Sequence, residues 1–166
     1  METPVTRSRE PAGDDRLYLD DLQVGQRFSS ATHVVDAEEI KAFARQFDPQ
    51  HFHLDHEKAK GTLFGGLAAS GWHTAAITMR LQVESGLPLA GGIVGAGGEI
   101  SWPRPTRPGD ALRVVSEIEE IVPSRSRPDR GTVKVRSETR NQRDEVVQVL
   151  TAKLVVPRRA TAAAQS

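Results

Sequence analysis

The sequence predicts a single α+β domain in which one antiparallel sheet wraps a long central helix. Three observations carry this: apolar residues recur at helical spacing in the first half, the period falls to two in the second half, and one long helical stretch is apolar on more than one side. At 166 residues the chain can bury one core, and single layered folds of this size often hide part of their surface in a dimer.

Residues 1–16 are polar and rich in Pro, Arg and Asp, and 158–166 closes on Thr-Ala-Ala-Ala-Gln-Ser, so both read as disordered tails around a domain spanning 17–157. After a turn at Gly25, residues 26–35 offer Phe28, Thr32, Val34 and Val35 as a strand. Asp36 with Glu39 three residues on makes a capping-box-like start, and Ile40, Phe43, Ala44 and Phe47 continue at helical spacing. Pro49 disfavours an α conformation at Asp48, so the helix stops there and 48–55 becomes loop. Residues 61–66 are too glycine-rich for a helix interior.

The central helix is predicted over 67–84, with Trp72, Ala75, Ala76, Met79 and Val83 on one face and Ile77 and Leu81 on another; this implies burial beyond a single stripe. Gly86 and Pro88 end it. Residues 93–102 form a glycine-interrupted strand, and Arg107-Pro-Gly-Asp110 carries Pro and Gly at the central positions of a type II turn. Leu112, Val114 and Ile118 alternate with Arg113, Glu117 and Glu119 in a strand with one wet face. Val133 and Val135 alternate likewise in 132–140, after a polar loop over 124–131. A more apolar strand, 146–156, follows the turn at Asn141-Gln-Arg-Asp144.

Lys plus Arg (22) equals Asp plus Glu (22), so no long-range positive field recruits nucleic acid or an anionic membrane. With no cysteine there is no disulfide, thiolate metal site or cysteine nucleophile. No apolar run reaches bilayer length and no signal-peptide core opens the chain, so a cytoplasmic location is expected. The pairs Gly65-Gly66, Gly91-Gly92 and Gly97-Gly98 lack a following Gly-Lys-Ser/Thr and a Rossmann context, and read as turns and close packing.

Chemistry concentrates between Phe43 and Asp55, where carboxylates and imidazoles crowd a helix end. A loop can aim Asp48 and His53, five residues apart, at one point, which a regular helix or strand cannot. Taken singly, Asp48 reads as an Asx-turn carboxylate and His53 as a surface imidazole. His51, His53 and His56 with Asp55 could instead bind a metal, but no distant fourth ligand is identifiable and no metal is expected. His33 reads as a strand-surface residue and His73 as a helix-packing one.

Asp48-Pro-Gln-His-Phe-His53, Ala69-Ser-Gly-Trp72 and Trp102-Pro-Arg-Pro-Thr-Arg-Pro-Gly-Asp110 occur in the order of three motifs of the MaoC-like dehydratases, hotdog-fold proteins that include the (R)-specific enoyl-CoA hydratases. The chain resembles that family over about 17–157. Gln50 and His51 depart from the family's Asp-x-Asn-Pro-x-His, where Asn and Pro are usual. The resemblance implies a hotdog fold and syn addition of water to a 2-enoyl thioester, or the reverse, with no cofactor beyond the coenzyme A of the substrate. Asp48 and His53 would hold and polarise the water, and the Gly71 backbone N–H, aided by the helix dipole, would take the thioester oxygen. Ser70, Trp72, Thr74, Arg104 and Arg107 would contact substrate: Thr74 near a hydroxyl that orients the acid, the arginines near the coenzyme A phosphates. A non-catalytic module that binds acyl thioesters or supports a partner is the alternative, and a thioesterase with different carboxylate placement is a third reading. A homodimer or higher homo-oligomer is expected, because residues 146–149 read as an apolar strand edge without a guarding charge or proline. The resemblance further implies an intersubunit site, with the Asp48 loop of one chain facing the central-helix start of the other.

Overall fold

The computed structural model describes residues 15–160. Six strands make one antiparallel sheet: β1 (Arg27–Ser29), β2 (His33–Val34), β3 (Gly95–Ser101), β4 (Ala111–Pro123), β5 (Arg130–Arg140) and β6 (Val146–Pro157). Their order is β1-β4-β5-β6-β3, with β2 also on β4. Helix α1 (Ala37–Phe47), a short α2 (His56–Ala59) and the central α3 (Gly71–Leu81) precede the four long strands. No helix among the described residues is long and apolar enough to cross a membrane.

The strand expected over 26–35 is two. Ser30 Oγ accepts the Val114 N–H at 2.8 Å and Ser85 Oγ accepts the Ala31 N–H at 2.8 Å, so side chains take over donors that a continuous ladder would have paired. Val34 is exposed, Val35 is fully buried in the core, and Phe28 packs partly buried against the core. Helix α1 begins as expected, with Asp36 accepting from Glu39 N at 2.8 Å. The capping box is not reciprocal, because the Glu39 carboxylate goes to His33 Nε2 at 2.8 Å and His73 Nε2 at 3.4 Å. His33 is therefore partly buried and hydrogen-bonded to Glu39, not a free strand-surface residue.

The central helix starts four residues later than expected. Ala68 N donates to Phe52 O at 3.2 Å and Ala69 N to Thr106 O at 2.9 Å, which holds 67–70 extended between two other segments. Past Leu81 the helix widens to a π turn over Gln82–Gly86, closed by Leu87 N on Gln82 O at 2.8 Å.

The burial of α3 also differs from its apolar pattern. Trp72, Met79 and Val83 are exposed, whereas Thr74, Thr78 and Gln82 are buried beside Ile77 and Leu81. Of these polar residues, four apart, Thr78 and Gln82 meet inward-facing polar side chains of the sheet, and Thr74 meets Thr106 in the loop before β4. Gln82 Nε2 donates to Ser116 Oγ at 3.2 Å and Ser137 Oγ at 2.8 Å, and Thr78 Oγ1 lies 2.6 Å from Thr139 Oγ1. On β4, Ser116 stands between Val114, in a core cluster with Ile40 and Leu112, and Ile118, in a second cluster with Leu19 and Val133. A hydrogen-bonded polar seam thus runs under the helix between two apolar clusters, with its buried groups partnered as a buried seam requires.

Two further expectations change. Residues 146–149 open β6, which pairs with β5 on one side and β3 on the other; β6 is therefore an interior strand and β3 is the edge, although only Val149 of the four reaches a β3 partner, Ser101. Arg158 and Arg159 are not tail: Arg158 Nη2 pairs with Asp20 at 2.9 Å, and Arg159 Nη2 pairs with Asp21 at 2.7 Å and stacks over Tyr18. Residues 1–14 and 161–166 of the two expected tails lie outside the described residues.

Candidate active site

Helix α1 delivers Asp48 to its own C-terminus, where the Asp48 N–H donates to Ala44 O at 2.9 Å and Pro49 forbids continuation. The chain turns on Gln50 N to Asp48 O at 2.8 Å and enters one 3₁₀ turn over His51–His53, so 48–55 is more ordered than a plain loop. That turn carries His53 inward. The imidazole is buried, with Nδ1 2.7 Å from Ala68 O. A carbonyl only accepts, so Nδ1 holds its proton there, and the exchangeable site is Nε2, 3.3 Å from Asp48 Oδ2.

Asp48 is held from two further sides. Oδ2 accepts from Ser70 Oγ at 2.7 Å and Oδ1 from Gln50 Nε2 at 2.7 Å. Gln50, at a position where the motif ordinarily has Asn, thus orients the carboxylate directly. Ser70 is the N-cap of α3, a place where serine usually accepts from the first turn. Here its hydroxyl makes no such cap and points at Asp48. The N–H groups of Gly71 and Trp72 at the first two helical positions then have neither an intrahelical acceptor nor the cap hydroxyl.

Burial on its own pushes the Asp48 carboxyl up, but the hydrogen bonds from Ser70 and Gln50 and the charge of a protonated His53 outweigh it, and the group sits below the usual carboxylate value of 3.8. The carboxylate is the form present at neutral pH. A depressed folded value contributes stability above the ordinary value, and this is lost as pH falls through the folded one. Ser70→Ala removes one stabilising donor, so the Asp48 midpoint should move upward in a carbon-NMR titration of its carboxyl. A midpoint that stayed in place or fell would contradict the Ser70 contact.

These groups line a cleft of about 500 Å³. Its floor is Ser70, Thr74 and Thr106, its walls include Phe64, Trp72 and Trp102, and Leu63, 99% exposed, stands at its mouth. Gly71 lies against the Trp102 indole, so close that a Cβ would fall 2.6 Å from Cε2. Space reserved at Gly71 is therefore filled by a ring of the same chain. Thr74 hydrogen-bonds Thr106 at 3.0 Å and does not touch Asp48; the orienting hydroxyl is Ser70. Arg104 lies at the cleft, paired with Glu145 at 3.2 Å. Arg107 is turned elsewhere: its guanidinium donates to Phe64 O, to Gly66 O at 3.1 Å and to Leu67 O at 3.3 Å, fixing the glycine-rich segment.

Asp48, His53, Ser70 and Gly71 come together within one chain, which corrects the expectation that the Asp48 loop faces the helix start of a second subunit. The other histidines are placed separately. His56 Nδ1 accepts from Leu67 N at 3.1 Å, His51 is exposed, and no group of three or more His, Asp or Glu among the described residues is arranged to hold a metal ion. Sequence reasoning missed Gln148, whose Oε1 accepts from the Trp102 indole N–H at 3.0 Å; its signal was a glutamine beside Val147 in the most apolar strand.

Comparison with known proteins adds four likenesses. A family model described as "MaoC like domain" matches residues 21–141. The uncharacterized protein YdeM of Bacillus subtilis (strain 168) is 35% identical over 131 residues, covering 77% of this chain and 90% of that one. Among solved structures, a MaoC-like dehydratase from Rhodospirillum rubrum superposes with a TM-score of 0.86 at 66% identity, over 87% of this chain and 99% of its own. The R-hydratase PhaJ1 from Pseudomonas aeruginosa superposes with a TM-score of 0.68 at 26% identity, over 87% and 88% respectively.

Proposed function

Because the chain belongs to the MaoC-like domain family and has its hotdog fold, we propose that it is a hydro-lyase that adds water to a 2-enoyl-CoA with R specificity, or removes it. The observation that carries this reading is the Asp48 Oδ2 to His53 Nε2 pair, 3.3 Å apart, in an apolar-walled cleft beside the uncapped start of α3. The thioester oxygen sits at the Gly71 N–H, where the helix dipole and an unpaired donor stabilise developing enolate charge. One water held against both the carboxylate and Nε2 gives its oxygen to the β-carbon. Its proton passes through the pair to the α-carbon, and delivery from one face makes the addition syn. Arg104 at the cleft is the candidate contact for coenzyme A phosphates. Loss of enoyl absorbance on adding purified protein to enoyl-CoA tests the reading; an unchanged spectrum at all chain lengths contradicts it.

A second copy of the chain is proposed to cover α3. Trp72 and Val83, each 61% exposed, form an apolar stripe with Ala76 and Met79, and β3 presents an unpaired edge. Sedimentation at low micromolar concentration should give a dimer or larger, and a monomer would contradict this. Since one chain supplies both residues, mixing Asp48→Asn with Gly71→Val chains should not restore activity; restoration would mean that the partners are exchanged between subunits.

A further inference from the structure

Gln148 lies on β6, outside the three motifs, and is fully buried with both ends of its amide hydrogen-bonded. Nε2 donates to Thr78 Oγ1 at 3.0 Å, and Thr78 gives its own proton to Thr74 O at 2.9 Å. Oε1 faces Trp102 Nε1, which can only donate, so the orientation of the amide is fixed by chemistry. Trp102 is still 39% exposed and meets Trp72 edge-on at 5.3 Å. A half-wet indole at the end of an edge strand has room to swing out, and the Gln148 bond opposes that.

We propose that Gln148 is a positioning residue that seats Trp102 as the wall of the acyl site, and that this wall restricts the cleft to short acyl groups. The inference rests on the acyl-thioester reading above. With the thioester oxygen at the Gly71 N–H, the acyl chain begins against the indole that packs on the same glycine. Beyond that ring, the space between helix and sheet is occupied by Gln148 and the Thr74–Thr106 and Thr78–Thr139 pairs, all buried and bonded. A longer chain would have to break those bonds and leave their partners unpaired.

Equilibrium binding of saturated acyl-CoAs, from butyryl to decanoyl, tests this on the full chain, on Gln148→Leu and on Trp102→Ala, with circular dichroism to verify folding. The unaltered protein should bind butyryl-CoA at least about tenfold more tightly than decanoyl-CoA, since single methylenes in a fitted pocket are worth roughly 10-fold or more. Gln148→Leu leaves Thr78 bonded to Thr139; it should cut that preference by about tenfold and shift indole emission to longer wavelength. Trp102→Ala should lose the preference as well, and adding Gln148→Leu to it should change the ratio no further. Trp102→Ala, at a partly exposed position, carries the test if the buried change prevents folding. Absence of length preference or of any acyl-CoA binding in the unaltered protein, or an unchanged ratio in a folded variant, would overturn the proposal. Binding does not depend on turnover, so length selectivity without hydration would remove the hydratase reading alone, and hydration without length selectivity would remove only this one.

Discussion

Asp48→Asn should abolish nearly all hydration, a loss of about 10²–10⁴ as expected when a positioned acid or base is removed. Asparagine preserves the acceptor for Ser70 but cannot take a proton from water, and it replaces the acceptor shared by Ser70 and His53 with a neutral amide. His53→Ala should be as severe. Unlike Asp48, His53 is interior, and its removal leaves Ala68 O without its side-chain donor, a cost of ~1–3 kcal/mol in stability. His53→Gln, with a donor of its own, is the better-controlled variant. The double variant should lose little beyond either single one, because both groups act on one water. Steady-state kcat/KM for these variants checks this, and near-normal turnover in Asp48→Asn would remove the dyad.

Gly71→Val should lower kcat/KM by about 10²-fold or more, the scale of losing one preorganised donor. The physical cause is the Trp102 ring: an added Cβ would lie 2.6 to 2.9 Å from three of its atoms, so the indole must move before any substrate is considered. Gly71→Ala introduces the same Cβ and should also lose activity, although less, since Val adds two further methyl groups. Full activity in Gly71→Ala would show that Trp102 shifts without consequence. Activity regained by Gly71→Ala in a Trp102→Ala background would identify the ring contact, not the amide, as the source of the loss.

The sheet was legible because alternation along β4 and β5 survives in residues such as Leu112, Val114, Val133 and Val135, each buried as its position requires. The Asp48 and His53 pair was legible from Pro49 and the spacing of the motif. The orientation of α3 was not. Apolar periodicity assigns Trp72, Met79 and Val83 inward, but the sheet offers Ser116, Ser137 and Thr139 at inward positions, and these pair with Thr78 and Gln82 on the opposite face. Only matching the polar residues of the helix to those of the strands would have revealed it. The role of Ser70, expected as a substrate contact, was hidden because its bond to Asp48 is made across 22 residues of chain. Arg107 illustrates the converse, a cation near a binding loop whose donors are used by backbone carbonyls.

The measurement closest to the central claim is analysis of the product formed from an enoyl-CoA in deuterated water. The proposed hydratase function predicts an R-configured 3-hydroxyacyl-CoA carrying deuterium at the α-carbon on the face of the new hydroxyl, with no such product from Asp48→Asn. Release of free coenzyme A with the enoic acid would instead make the protein a thioesterase, and recovery of unlabelled, unconverted enoyl-CoA from the unaltered protein would contradict the hydro-lyase account.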